Sequence, residues 1–232
     1  MVSKFPNVVV VYGSESRIIQ ETIDWLIGQK CQIIRIFNKS VPIQHALCID
    51  ISSINDLDTA LEVAISRSIE DIQIGFVGVA FARQNSLMVQ MSDVDVAKAI
   101  DLNIKSYVYL SRKLLKHMTH NKYGRFIFLS SFRAEHTNSG AVLYGASKAF
   151  CEQYFSGIGR EMGRFNITSA SIRMGYFDSG MLDEYPELQR TKAASIGRFG
   201  NGTDIRAAIE FAFANDYTNS GVIELNGGLI RE

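Results

Sequence analysis

Short apolar runs rich in β-branched residues alternate along this chain with longer stretches in which apolar positions recur every three or four residues. Runs that are apolar throughout suit strands buried on both faces, and helical stretches between them suit crossover connections. The alternation therefore predicts βαβ units winding a parallel sheet, an α/β architecture. Seven strands are expected, near Val8–Tyr12, Gln32–Phe37, Ala46–Ile49, Ile72–Val79, Gly124–Leu129, Thr168–Arg173 and Gly221–Leu225. Helices are expected over about Ser16–Gln29, Ile54–Ser68, Asp93–Asn121, Ala141–Phe165 and Thr203–Ala214. In such a sheet ligands bind beyond the carboxyl ends of the strands, near the point where the winding reverses. That edge would carry Tyr12-Gly13, Asn38-Lys39, Asp50-Ile51, Ser131 and Met174-Gly175.

Length and composition narrow this picture. At 232 residues and 47% hydrophobic, the chain suits one core, and with no Gly/Ser-rich linker or repeat it reads as a single domain over residues 1–232. Residues 179–198 hold little strand pattern and contain Tyr185-Pro186, which reads as a lid over a substrate. The 24 basic and 24 acidic residues cancel, so neither nucleic acid nor another polyanion is an expected partner. Three widely spaced cysteines (Cys31, Cys48, Cys151) read as reduced thiols, and His45, His117, His120 and His136 form no metal-ligand spacing. No apolar run approaches a membrane span, and the lead before Val8 is short for a signal peptide, so a cytoplasmic protein is expected.

The candidate chemistry lies in Tyr144-Gly145-Ala146-Ser147-Lys148. A phenol and an ammonium four positions apart share one helix face, and the lysine charge favours the phenolate, bringing tyrosine nearer to working pH as an acid or base. A match of this kind also arises by chance on helices, where the tyrosine packs and the lysine is solvated. Thirteen residues upstream of Tyr144, however, the run Phe126-Ile127-Phe128-Leu129 ends in Ser130-Ser131, a strand delivering a hydroxyl to the same edge. Register favours Ser131, although Ser130 satisfies the same pattern. Asn103, in Asp101-Leu102-Asn103-Ile104, completes a set drawn from three separate segments.

On those residues the chain resembles the short-chain dehydrogenase/reductase family from about Val8 to Gly228. The resemblance implies a Rossmann-type fold, a nicotinamide cofactor, and Asn103, Ser131, Tyr144 and Lys148 as the catalytic set. Tyr144 would exchange the proton, Lys148 would lower its pKa and hold the nicotinamide ribose, and Ser131 would steady the substrate oxygen. Asn103 would hold, through a kinked helix, a water leading to Lys148. The implied cofactor-binding positions are Gly13, Ser14, Ser16, Arg17, Ile18, Asn38, Lys39, Asp50, Ile51, Gly78, Val79, Gly175, Phe177 and Ser179, together with Tyr144 and Lys148.

Three segments depart from the family pattern. The usual TGxxxGxG of the first turn reads Tyr12-Gly13-Ser14-Glu15-Ser16-Arg17-Ile18-Ile19, so the second and third glycines are Arg17 and Ile19. Arginine at the second position also occurs in pteridine reductases, a branch of the family. Ile19 is expected to push helix and strand apart unless smaller neighbours relieve it. The usual NNAG reads Val77-Gly78-Val79-Ala80, which removes two amides that brace the sheet, and Pro-Gly after the sixth strand reads Met174-Gly175.

At the end of the second strand, Phe37-Asn38-Lys39-Ser40 carries no carboxylate to repel a 2′-phosphate and has Lys39 to attract it. NADP(H) is therefore favoured over NAD(H). The stretches Arg83–Met88, Gly197–Gly200 and Gly221–Gly228 resemble β-ketoacyl-[acyl-carrier-protein] reductases, which implies a 3-oxoacyl-like, sugar or other small carbonyl substrate and a homotetramer or homodimer. The competing reading is a catalytically idle member, a binding or scaffold subunit whose cofactor turn has collapsed.

Overall fold

The computed structural model describes residues 5–37, 47–50, 59, 63, 72–81, 84–178 and 194–229. Among them, strands β1 (Val8–Tyr12), β2 (Gln32–Phe37), β3 (Leu47–Asp50), β4 (Ile74–Gly78), β5 (Gly124–Ser131), β6 (Ile167–Met174) and β7 (Gly221–Leu225) form one sheet in the order β3-β2-β1-β4-β5-β6-β7. Every neighbouring pair is parallel. The winding reverses between β1 and β4, where Tyr12 lies opposite Gly78. Crossover helices cover both faces, which is why β1, β4 and β5 are buried at every position.

Five helices have both ends among the described residues: α1 (Gln20–Gly28), α2 (Asp93–Ile100), α3 (Ser106–Asn121), α4 (Val142–Met162) and α5 (Gly202–Ala214). Alternation along each strand divides the core in two. One cluster joins Val8, Val10, Phe76 and Phe126 with Leu110 and Leu114 of α3 and Phe155 of α4. The other joins Val9, Val11, Val77 and Ile127 with Ile23 of α1 and Ile209 of α5. Among the described residues no helix is long and apolar enough to cross a membrane.

Two expected helices are divided by local geometry. Asp93–Asn121 is interrupted by a π-helical turn at Asp101–Lys105, and the first helix begins only at Gln20, after a 3-10 turn at Arg17–Ile19. Strand β5 runs on through Ser131 and β6 through Met174, each further than apolarity alone marks, because Ser130 and Ser131 pair with Arg173 and Met174. Of the expected helix over Ile54–Ser68, only Thr59 and Val63 lie inside the described residues, and both are helical.

Candidate active site

The end of β5 presents two serines with different commitments. Ser130 is buried and donates to Glu152 Oε1 of α4. The same carboxylate receives Arg173, whose Nη2 lies 2.7 Å from Glu152 Oε2, and Arg173 also meets Glu135 at 3.1 Å and Glu224 at 2.7 Å. Ser131 is not drawn into that network. Its Oγ accepts from the Arg133 N–H at 3.2 Å, and both serines line a cavity of about 120 Å³, Ser130 with its hydroxyl already given to Glu152. Tyr144, Lys148, Val79, Phe81, Gly175 and Phe177 share that cavity wall.

Helix α4 brings Tyr144 and Lys148 there because it is pressed onto the preceding turn. A Cβ at Gly145 would lie 2.6 Å from the Arg133 carbonyl oxygen and 2.7 Å from Thr137 Oγ1, so only glycine permits this approach. One helical turn after Tyr144, Lys148 is buried, and its Nζ donates to the Leu129 carbonyl at 2.7 Å. Its Nζ also sits 4.7 Å from the ring centroid of Phe128, 4.9 Å from that of Phe81 and 5.8 Å from that of Tyr144. Aromatic faces attract the ammonium but do not replace its water, and burial lowers its pKa to about 8. The Phe81 ring, 5.2 Å from that of Tyr144, covers both groups; nothing in the local sequence pattern singles it out.

Asn103 stands behind the cavity rather than on its wall. It occupies the π-helical turn, a wider backbone that cannot close every i to i−4 bond, and side chains take up the carbonyls instead. Ser106 Oγ donates to Asp101 O at 2.8 Å, Tyr12 Oη to Leu102 O at 3.1 Å and Cys151 Sγ to Asn103 O at 3.2 Å. Burial pushes the Tyr12 phenol and the Cys151 thiol up to about 12, so both remain protonated donors. Asn103 Nδ2 donates to Ser147 Oγ at 3.2 Å, and Ser147 Oγ donates to the Tyr144 carbonyl at 2.7 Å. This relay ties the π-helical turn to the segment of α4 between the phenol and the ammonium.

The amides missing from Val77–Ala80 are replaced by phenols. The Tyr107 ring fills the place where a Cβ at Gly78 would stand, and its hydroxyl donates to the Ala80 carbonyl at 2.7 Å. Tyr12 packs edge-on against it, ring centroids 5.0 Å apart. Gly78 thus faces the core, whereas Val79 reaches the cavity. The signal for this exchange was a tyrosine beside Gly13 together with a glycine in place of asparagine, two changes that make sense only as a pair.

The first turn is built around Gly13, whose φ of +85° suits glycine and whose missing Cβ would meet the Ala80 backbone nitrogen at 2.5 Å. Gln20 Nε2 clasps the turn from below, donating to Ser14 O at 2.7 Å and Ser16 O at 2.9 Å. Ile19 does not wedge α1 away from the sheet, as its bulk suggests it should. The chain makes a 3-10 turn first and starts α1 one residue later, leaving Ile19 fully buried in the core with Ile23 and Leu26. Arg17 points outward, its Nη2 3.7 Å from Asp178 Oδ2 in the loop after β6.

These residues fit a dinucleotide unevenly. At one end, Gly175 lets the loop after β6 pass close to Asn226, and the cavity between Ser131, Tyr144, Lys148 and Phe177 has the size of a nicotinamide ring. At the other, Ser14 Oγ is buried without a hydrogen-bond partner among the described residues, the N–H groups of Arg17 and Ile18 open a helical turn, and Arg17 supplies a positive charge. That donor set suits phosphate oxygens, with fewer backbone donors than a glycine-rich turn offers. Ile18 reaches the cavity wall; Gly13, Ser14, Ser16, Arg17 and Gly78 do not. Asp50 ends β3, and Asn38, Lys39, Ile51, Ser179 and most of the expected lid lie outside the described residues.

Comparison with known proteins identifies the family and the fold. A family model for short chain dehydrogenases matches residues 29–190, a span that begins after the altered first turn. A 3-oxoacyl-[acyl-carrier-protein] reductase, FabG, of Pseudomonas aeruginosa is 28% identical over 184 residues, covering 75% of this chain and 74% of its own. Carbonyl reductase family member 4 of Xenopus tropicalis is 22% identical over 234 residues, covering 96% and 98%. Among solved structures, a short-chain dehydrogenase/reductase from Brucella melitensis, described as a glucose/ribitol dehydrogenase, superposes with a TM-score of 0.82 at 20% identity over 100% of both chains. ElxO with NADP bound gives 0.81 at 15% identity, covering 96% and 98%.

Proposed function

The chain belongs to the short chain dehydrogenase family and is an NAD(P)-dependent oxidoreductase, and from that premise we propose that it interconverts a small carbonyl compound and its secondary alcohol, with Tyr144 as acid and base. The observation that carries this reading is the meeting of Ser131, Tyr144 and Lys148 on one largely apolar cavity wall. In the reducing direction Tyr144 gives its phenolic proton to the carbonyl oxygen, while the Ser131 hydroxyl donates to that oxygen as negative charge develops. The buried ammonium of Lys148 stabilises the phenolate left behind. The nicotinamide, when bound, supplies or accepts the hydride.

In this reading Lys148 and Tyr144 hold the nicotinamide ribose, and Gly175, Phe177 and Ser179 the carboxamide. Ser14, Ser16, Arg17 and Ile18, beside Gly13, hold the phosphates. Asp50, Ile51 and the main-chain groups of Gly78 and Val79 border the adenosine, and Asn38 and Lys39 favour NADP(H). The similarity to FabG supports a 3-oxoacyl-like substrate among the small carbonyls, and the NADP in ElxO supports the cofactor choice. The protein works as a single cytoplasmic catalytic domain. Exposed Tyr109 of α3 and Phe150 of α4 offer apolar surface for a homodimer or homotetramer.

The test is a panel of 3-oxoacyl thioesters, sugars and small ketones with NADPH and NADH, run beside thermal shift with each cofactor. Reduction of at least one carbonyl, with tighter binding of NADPH, is the expected result. A chain stabilised by neither cofactor at millimolar concentration would instead be the idle scaffold that the altered first turn suggests.

A further inference from the structure

Helix α4 starts without a cap of its own. Its N-cap position is Ala141, at φ −131° and ψ 19°, which has no side-chain oxygen to offer the first free N–H groups. The acceptor arrives from 59 residues away. Gln84, buried in the loop after β4, places Oε1 2.7 Å from the Leu143 N–H and 3.3 Å from the Tyr144 N–H. Those are the second and third helical residues, the two that an N-cap side chain ordinarily serves. The amide orientation follows from its other end, where Nε2 donates to Ser86 O at 2.8 Å and Met88 Sδ at 3.4 Å, so the oxygen must face the helix.

We propose that Gln84 caps α4 in trans and is a positioning residue for Tyr144, fixing where the phenol stands in the cavity. The proposal rests on the reading of Tyr144 as the acid. The same loop meets Tyr144 twice, since Phe81 packs on its ring while Gln84 holds its backbone N–H. The Ser147 hydroxyl holds the Tyr144 carbonyl from the other side, through Asn103. Tyr144 is thus pinned at both main-chain polar groups and at its ring, and a proton donor must be placed to within a fraction of an ångström.

Two substitutions separate the cap from mere packing. Gln84→Met keeps length and volume but has no strong acceptor, and Gln84→Glu, its buried carboxyl protonated against the Ser86 carbonyl, keeps both the acceptor and a donor. In the chain without substrate, amide hydrogen exchange at Leu143 and Tyr144 is expected to speed up about tenfold in Gln84→Met and to stay near wild type in Gln84→Glu. With a carbonyl that the wild type reduces, kcat should fall about 10- to 100-fold in Gln84→Met while KM for NADPH stays within about twofold, and Gln84→Glu should recover kcat to within about threefold. Should Gln84→Met not fold, Gln84→Asn, one methylene too short to reach, replaces it in the same comparison. Unchanged exchange in the acceptor-less variant, or kcat and KM worsening together in both variants, overturns the proposal. A wild type that reduces no carbonyl removes the reading of Tyr144 as the acid; exchange then decides the cap, supporting it if protection is lost in Gln84→Met and kept in Gln84→Glu.

Discussion

The end of β5 with the first turns of α4, and the turn between β1 and α1, lie at the same edge of the sheet but treat their polar groups in opposite ways. Around α4 the protein supplies partners itself: Lys148 donates to Leu129, Ser130 to Glu152 and Ser147 to Tyr144, and Gln84 receives two helix N–H groups. In the first turn Ser14 Oγ is buried without a partner among the described residues, and Arg17 reaches outward to an exposed aspartate. The first region is organised before any ligand arrives, whereas the second, although Gln20 clasps its carbonyls, leaves a hydroxyl and a guanidinium that a phosphate would satisfy. Its bulk has gone to the core, through Ile18 and Ile19.

Breaking the organised region should therefore cost chemistry, and breaking the other should cost folding. Tyr144→Phe keeps the ring against Phe81 and removes only the hydroxyl. Turnover should fall about 10³-fold, or ~4 kcal/mol in barrier, with cofactor affinity held within about threefold. Steady-state kinetics beside a fluorescence titration with NADPH checks both halves of that statement. In the first turn, Ile19→Gly writes the family's third glycine back into the chain. Because Ile19 is fully buried, the variant leaves a core cavity and should lose about 3–4 kcal/mol in urea unfolding. A rise in cofactor affinity without that loss would mean that the isoleucine obstructs the site rather than filling the core.

Lys148 shows that the organised region is itself bought at the expense of stability. Burial lowers its pKa from the ordinary 10.5 to about 8, so between those values the unfolded chain binds the additional proton. Stability should rise as pH climbs from about 8 to 10.5 and be least helped below 8. Lys148→Met should abolish turnover yet raise stability near pH 7 by on the order of 2 kcal/mol, the Leu129 carbonyl, left buried without its lysine donor, offsetting part of the gain. Urea melts of both proteins from pH 7 to 10.5 would show it, the two curves converging as pH rises. A destabilised methionine variant at pH 7 would mean that the aromatic rings around Nζ compensate its burial.

What was legible in the chain follows the same division. The strands could be read because burial on both faces leaves runs such as Val8–Val11 apolar throughout, and Ser131, Tyr144 and Lys148 because their spacing is set by one strand and one helix. The cavity brings these three together, while Asn103 sits a hydrogen-bonded step away through Ser147. The π-helical turn was not visible in a pattern of helical period that continues through it, and only the family resemblance implied a kink at Asn103; the delayed start of α1 was hidden too, since Arg17, Ile18 and Ile19 each suit a helix. Gln84, Phe81 and the Tyr12–Tyr107 pair were hidden for another reason. Their roles arise from contacts between segments far apart in sequence, which no local spacing encodes.

The smallest expected effect is the sharpest probe of the first turn. Arg17 and Asp178 are both more than half exposed, so their ion pair contributes well under ~1 kcal/mol to folding, and Asp178→Asn should leave the urea midpoint almost unmoved. If Arg17 is instead the turn's substitute for lost backbone donors, removing the carboxylate frees it for phosphate and takes a negative charge from the mouth of the cleft. NADPH should then bind about threefold tighter and NADH less so, because the 2′-phosphate adds charge to the ligand. The gain should shrink at high salt, where exposed charges are screened within a few ångströms. Equal affinities for wild type and variant at low salt would remove Arg17 from the phosphate site and leave the turn to bind through Ser14 and the free N–H groups alone.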